Sequence, residues 1–445
     1  MITPLGLVRR FKAWRRHRAA AKPSRAKVWC VSLLAAAAFL GFFFWLTSAR
    51  ILADRFEIGP GVSDPAFADS LGPLLGAEFS SGNSVKLLVN GKRFFPAMLE
   101  AIHEARHTIT LETYIWESGE VSDRFIEALS ERARAGVKVH VLGDGRGLKH
   151  LEHKDRQRLR DAGVELLIYG RERWYQIKPN INHRTHRKVL IIDGRIGFTG
   201  GMCIADKWDG DAETDEVWRE TQARLEGPVV RQMQAVFTTN WLQTTSHLLF
   251  GPDYFPEARE AGGGARAQCY QSGPNESPEH VRISYLVAIA AARESIQIAN
   301  AYFVPDDLAV EMLLAARARG VRIEIIVPGV NDSRFGRAAS RSRWGKLLAA
   351  GVEFHLYQRA MLHTKVMTVD GVFTTVGSTN FDNRSFGIND EINVNILDAG
   401  IARRSREIFA EDLKGSRLLT AEEFEHRPVY IKVFDHICGL FRSQI

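Results

Sequence analysis

His186-Arg187-Lys188-Val189-Leu190-Ile191-Ile192-Asp193 and, 177 positions later, His363-Thr364-Lys365-Val366-Met367-Thr368-Val369-Asp370 state one pattern twice: His-x-Lys-x4-Asp at the head of an apolar run. Each run reads as a strand. Side chains in a strand alternate with a period of two, so His186 and Lys188 project to one face, as do His363 and Lys365. Each copy thus offers an imidazole and a fixed cation on one pocket wall. The aspartates, seven residues on, have the opposite parity and precede Gly194 and Gly371, where the strand turns. Asp193 and Asp370 are therefore expected to orient or brace the site, not to touch a substrate. One such pattern alone is weak evidence; two in register with a longer repeat are strong.

That longer repeat extends outward on both sides. Ala105 to Tyr114 resembles Ala292 to Tyr302, which is one residue longer. ARAGVKVHVL around Gly136 echoes ARGVRIEIIV around Gly320, and AGVELLIY around Gly163 echoes AGVEFHLY around Gly351. Within each copy short β-branched runs, Val137–Leu142 and Ile323–Val327, alternate with helical stretches, Ser122–Ala135 and Asp307–Arg319. Such alternation predicts an α/β fold with a parallel or mixed sheet covered by helices. The halves are placed at 85–260 and 268–445, with Ala261-Gly-Gly-Gly-Ala265 read as a flexible linker.

The chain has 445 residues, 45% hydrophobic and 25% charged, which excludes a disordered, collagen-like or polytopic membrane protein. Its net charge of +7 is local: residues 1–50 hold ten of the 59 Lys and Arg and no acidic residue, so 49 basic against 52 acidic residues leave the remainder at −3. A general nucleic-acid surface is not expected from a mildly acidic body. Val28–Thr47 carries no charge, long enough as a helix to cross about 30 Å of hydrocarbon. Residues 1–50 are therefore read as a basic segment and a single transmembrane anchor, N-terminus cytoplasmic and body on the outer face of that membrane. The four cysteines, Cys30, Cys203, Cys269 and Cys438, lack metal-ligand spacing.

The paired motifs resemble the HKD motifs of the phospholipase D superfamily, over roughly residues 85–445. The second is the fuller match, with His363, Lys365, Asp370, Gly377, Ser378 and Asn380 where that pattern expects them. Met361–Glu391, Thr185-His186-Arg187-Lys188 and Trp218-Arg219-Glu220-Thr221 resemble more narrowly the bacterial cardiolipin synthase branch. The first motif departs from the pattern with Gly200-Gly201-Met202-Cys203, a thiol standing where a carboxamide is usual. A thiol is a poor hydrogen-bond donor. The resemblance implies a duplicated phospholipase D-like fold, two similar mixed-sheet halves flanked by helices around one shared active site.

It also implies chemistry at a phosphodiester. Lys188 and Lys365 neutralise charge growing on the non-bridging oxygens without a metal or other cofactor, and Ser378 and Asn380 are expected to donate to those oxygens. One imidazole attacks phosphorus while the other protonates the departing alcohol. Glu220 and Glu391, at matching positions, are expected to bond the far ring nitrogens and fix the tautomers. Family resemblance favours His186 as nucleophile and His363 as acid and base; the residues themselves leave that open. The resemblance thus implies a membrane-bound phosphatidyltransferase acting on phospholipid, with phosphatidylglycerol the expected substrate. A phospholipase D that hydrolyses the same intermediate is the alternative, and a nuclease or a non-catalytic scaffold fits less well. Two weaker patterns remain: cations upstream of each motif, Arg171, Arg173, Lys178 and Arg184 in one and Arg334, Arg337, Arg341, Arg343 and Lys346 in the other, and a helical apolar period from Val429 to Phe441. The first reads as a phosphoglycerol rim or a solvated face, the second as core packing or an interfacial helix.

Overall fold

Aliphatic runs of four to ten residues, each cut off by a glycine or a polar turn, become strands, and the amphipathic stretches between them become helices. The computed structural model describes residues 25–47, 58–170, 182–274, 277–330 and 332–441, with side chains of the first helix described for residues 29–42. Arg171, Arg173 and Lys178 and the basic residues between Arg9 and Lys22 lie outside these. The chain divides into Met1–Asp54 and Arg55–Ile445.

In the first unit the helix is Arg25–Thr47. Among the described residues no helix is long and apolar enough to cross a membrane. The transmembrane helix expected from the sequence is thus not carried by the structure, although every large apolar side chain from Trp29 to Phe42 is exposed.

The second unit is built on one fifteen-stranded sheet. Its strands are β1 Ser80–Val89, β2 Thr108–Thr113, β3 Lys138–Asp144, β4 Glu165–Tyr169, β5 Val189–Ile192, β6 Ile196–Gly200, β7 Thr221–Glu226, β8 Ala265–Ser272, β9 Ser295–Asn300, β10 Arg322–Val330, β11 Glu353–Met361, β12 Lys365–Val369, β13 Phe373–Gly377, β14 Glu391–Leu397 and β15 Ser416–Leu419. From one edge the order is β4-β3-β2-β5-β6-β7-β1, and from the other β15-β11-β10-β9-β12-β13-β14-β8. Apart from β15 the two series are the same, β1 answering to β8 and β5 to β12. In each, three outer strands run parallel and the inner ones antiparallel.

The repeat holds down to single residues. The helices Glu120–Arg134 and Asp307–Ala318 start within two residues of the sequence reading. Each ends before a glycine in the left-handed region, Gly136 and Gly320, both at φ 92°. Nothing crowds either position, so the backbone angle alone selects glycine.

The halves are fused where β1 pairs antiparallel with β8, Ser80 opposite Ala267 and Asn83 opposite Ala265. Here the structure corrects the flexible linker. A β-carbon at Gly263 would lie 2.1 Å from the Asn83 carbonyl oxygen, Ala261 donates its N–H to Gly82 at 2.8 Å, and the Asn83 amide donates to Ala265 O at 3.2 Å. Glycine stands there because two backbones touch. One apolar layer crosses the seam, joining Val85, Val189, Leu225 and Phe237 to Ala267, Cys269, Val376 and Ile392. All four cysteines are free.

Candidate active site

Equivalent strands of the two halves bring four functional residues to the seam. His186 stands three residues before β5 and His363 two before β12, while Glu391 opens β14 and Glu220 immediately precedes β7. The approach is crossed. A single parallel bridge joins Thr185 to Asp390 and another joins Arg219 to Leu362. His186 N–H donates to Asp390 O at 2.9 Å, and His363 N–H to Arg219 O at 2.8 Å. Each histidine of one copy is thereby clipped beside the glutamate of the other.

The side chains follow. His186 Nδ1 lies 2.8 Å from Glu391 Oε1, and His363 Nδ1 lies 2.8 Å from Glu220 Oε2. Both glutamates are wholly buried. With Nδ1 occupied, Nε2 is the nitrogen left for chemistry in each ring. Lys188 Nζ donates to the His186 carbonyl at 2.6 Å, and Lys365 Nζ does the same to His363. Lys365 Nζ also lies 3.2 Å from His363 Nε2. Burial and then the two lysines hold both imidazoles well below their ordinary range. Burial pushes Glu220 up to about 7 and Glu391 up to about 8, and pulls Lys365 down to about 8. Two buried cations and two carboxylates sharing protons with imidazoles form a centre poised near neutrality, a pattern found where acid, base and nucleophile are needed. An anion between the lysines would offset the cost of burying them.

Asp193 and Asp370 lie beyond the far ends of β5 and β12, away from the imidazoles. Asp193 accepts from the backbone N–H of Arg106, His107 and Thr108 at 2.8–2.9 Å, and Asp370 from Arg293, Glu294 and Ser295 at 2.8–2.9 Å. Each ties the start of a neighbouring strand to the catalytic strand. Both aspartates, counted in sequence with the catalytic His and Lys of their motifs, contact backbone N–H groups and neither imidazole.

Ser378 is corrected too. Its hydroxyl donates to Glu391 Oε2 and accepts from Ile392 N–H at 3.0 Å, so its proton is aimed at the carboxylate and not at a phosphate. Asn380 is buried, and its amide oxygen has no partner among the described residues. Cys203, its counterpart, is buried close to Lys188 and Lys365. Of the cationic rim, Arg341 pairs with Asp435 and Arg343 with Asp307, which makes them fold contacts.

Several residues escaped the sequence reading. The Tyr114 ring packs edge-on against His186 at 5.1 Å, and Trp218 lies against His363 at 5.0 Å. Tyr114 closes a repeated segment and Trp218 sits two residues before Glu220, so the repeat itself could have flagged both. Arg219 forms a buried two-point ion pair with Asp412, at 2.8 Å twice, and no sequence spacing announces that partner. Glu112, buried and pushed up to about 7, takes hydrogen bonds from Thr185 and from Asn240, the latter at 2.8 Å, beneath His186. Among the described residues one trio could hold a metal ion, Glu324, Glu353 and His355. It lies on β10 and β11, apart from the histidine pair, and Arg322 already bonds both of its carboxylates.

Residues 98–241 and 285–413 match the sequence family described as cardiolipin synthase, PLD-like domain. The chain is 33% identical to a cardiolipin synthase of Geobacillus sp. (strain WCH70), over 94% of this chain and 88% of that one. It is 34% identical to the major cardiolipin synthase of Bacillus subtilis (strain 168), over 82% of this chain and 76% of that one. Among solved structures, a phosphatidylserine synthase of Haemophilus influenzae Rd KW20 is similar in fold, with a TM-score of 0.62 at 12% identity, over 85% of this chain and all of that one.

Proposed function

The chain belongs to the cardiolipin synthase family of phospholipase D-like enzymes, and from that premise we propose that its crossed His–Glu pairs move a phosphatidyl group from one phosphatidylglycerol to the primary hydroxyl of another. The observation that carries this reading is the pairing of each imidazole, through Nδ1 at 2.8 Å, with a glutamate from the other half. Two histidines in one centre, each holding its own carboxylate through Nδ1 and so leaving Nε2 as the reacting nitrogen, are what a double displacement at phosphorus needs.

The steps balance as follows. His186 Nε2 attacks phosphorus, the bond to the glycerol oxygen breaks, and His363 gives that oxygen a proton, releasing glycerol. The phosphatidyl group is then held through a phosphorus–nitrogen bond. A second phosphatidylglycerol enters, His363 takes the proton from its primary hydroxyl, and the resulting oxygen displaces His186. Lys188 and Lys365 meet the charge on the non-bridging oxygens, where fixed cations in a dry site are worth most. Asn380 is taken to donate its amide N–H to the same oxygens. Glu391 and Glu220 hold the ring orientation and stabilise each imidazolium as it forms. No step calls for a metal, so EDTA is expected to leave the rate unchanged; activity lost to chelation and restored by a divalent ion would contradict that.

The same reading gives the remaining segments their parts. The halves 85–260 and 268–445 each supply one imidazole and one lysine. The uncharged run Val28–Thr47, with basic residues before it, supports a single-pass anchor with the catalytic body outside the cytoplasm. A reporter fused after Ile445 is expected to be active only on that side. The deciding experiment is incubation of purified protein with labelled phosphatidylglycerol and chromatography of the products. Cardiolipin and glycerol in equal amounts are expected; phosphatidic acid in place of cardiolipin would mean that water takes the group instead.

A further inference from the structure

The carboxyl-terminal helix, Val429–Leu440, is inside out for a packed helix. Its aspartate, Asp435, is buried and receives Arg341 at 2.7 Å and Arg427 at 2.6 Å, with Cys438 and Gly439 beside it. Its apolar residues Val429, Tyr430, Val433, Phe434, Ile437 and Leu440 are 40–74% exposed. Their spacing places them on one face. The periodicity that core packing would explain therefore faces away from the protein.

Phe335, 64% exposed, extends the stripe onto the neighbouring helix Arg334–Arg341, its ring 5.8 Å from that of Phe434. The charge bordering the stripe is positive. Arg334 and Arg337 have no ion-pair partner among the described residues, and burial first, then the charges of Arg341 and Arg334, holds the Arg337 guanidinium below the ordinary range. The same helix adjoins the strand end beside the active site: a β-carbon at Gly336 would lie 3.2 Å from the Tyr302 ring, and the preceding Ala301 donates its N–H at 3.1 Å to the carbonyl of Thr364, the neighbour of His363. We propose that this stripe is an interfacial surface that docks on an anionic phospholipid bilayer and presents the headgroup layer to the catalytic centre. Apolar side chains enter the acyl boundary while Arg334 and Arg337 meet lipid phosphates, the arrangement that separates an interfacial helix from a packed one. The commitment to lipid over a second copy of the chain comes from the unpaired cations and the closeness to the site, and it rests on the phosphatidyl-transfer reading.

The test uses the full chain in vesicles. In a Cys30→Ser background, Ile437→Cys is labelled with an environment-sensitive fluorophore; the other native thiols, Cys203, Cys269 and Cys438, are buried. In vesicles containing phosphatidylglycerol the emission is expected to shift to the blue and to be quenched by nitroxides on the acyl chains, whereas a label at exposed Glu407 is not. A label at 437 that acyl-chain nitroxides fail to quench would overturn the proposal, as would cross-linking between copies through that position. A second arm replaces Val433 and Ile437 together by Asp. Transfer within phosphatidylglycerol vesicles should fall on the order of tenfold, equivalent to roughly 1.4 kcal/mol, while transfer with dispersed short-chain phosphatidylglycerol is unchanged. Equal rates on both substrates, before and after substitution, would also overturn it. Because the fluorescence arm needs no turnover, an inert enzyme whose label still enters the bilayer would fault the transfer reaction and leave the docking surface standing.

Discussion

The half-site around His186 and the half-site around His363 share a backbone and differ in what stands behind the carboxylate. Behind Glu391, Ser378 donates its hydroxyl to Oε2. Behind Glu220 the matching residue is Gly201, where a β-carbon would lie 2.4 Å from Glu220 Oε2 and 2.8 Å from the His363 carbonyl oxygen. No hydroxyl fits there, and Glu220 Oε1 accepts instead from Thr221 N–H at 2.8 Å. Asn380 on one side faces Cys203 on the other. The residue before each glutamate also differs: Arg219 is locked to Asp412, whereas Asp390 is met by His183 at 2.9 Å. Gene duplication alone would give two equal histidines. Divergence in the layer behind them makes the two unequal, and two unequal imidazoles are what an attack by one and a proton transfer by the other require.

The largest effect is expected from the histidines. His186→Ala and His363→Ala should each cut turnover by about 10²–10⁴-fold or more, the range of general acid–base assistance, with loss of the nucleophile costing at least as much. The double variant should be little slower than either single, since residues acting as a unit are not additive. Independent half-sites would instead leave each single variant at about half the rate.

Next comes the seam. Arg219→Met should destabilise the protein by roughly 3–5 kcal/mol by stranding the buried Asp412, and Arg219→Met with Asp412→Leu should recover much of that loss, read by denaturant unfolding. If the double substitution unfolds as readily as the single, the pair is not what holds this side of the crossing.

The carboxylates should matter somewhat less than the rings that they orient. Glu391→Gln and Glu220→Gln are each expected to slow turnover by about 10²-fold. Ser378→Ala should slow it less, and only by loosening Glu391. Comparable losses in Ser378→Ala and Asn380→Ala, with phosphate affinity falling in both, would instead return Ser378 to the phosphate.

What could be read beforehand divides along the same line. His186, Lys188, His363 and Lys365 were legible because rare residue types recur in register with a repeat, and strand parity placed both aspartates off the substrate face. Glu220 and Glu391 were legible as a matched pair, but that each serves the other copy's histidine depends on the β1–β8 seam, and no local pattern encodes a crossing. Ser378 was misread because a hydroxyl beside a phosphate motif has two acceptors in reach, and only the structure puts the carboxylate nearer. Gly263 was misread as slack because composition cannot distinguish a free chain from one pressed against another backbone.

The smallest predicted effect is a shift in a pH profile. Burial lowers Lys365 to about 8 from an ordinary value of 10.5. Its charge is complete below about pH 8 and is lost as pH rises through that value, so the rate should fall on the alkaline side there. Lys365→Arg keeps its charge throughout and should move that limb upward at reduced rate. A limb that stays in place would belong to another group, Glu391, pushed up to about 8 by burial, being the first candidate.

The central claim, that the two halves make one reaction centre in which a single histidine attacks, is tested most directly by trapping the intermediate. Labelled phosphatidylglycerol is mixed with His363→Ala and with His186→Ala, and the acid-labile, base-stable adduct is located by peptide mapping. The account predicts label on His186 in the first variant, persisting because its acceptor is not activated, and none in the second. Label on the surviving histidine of both variants would mean two independent centres and would contradict it.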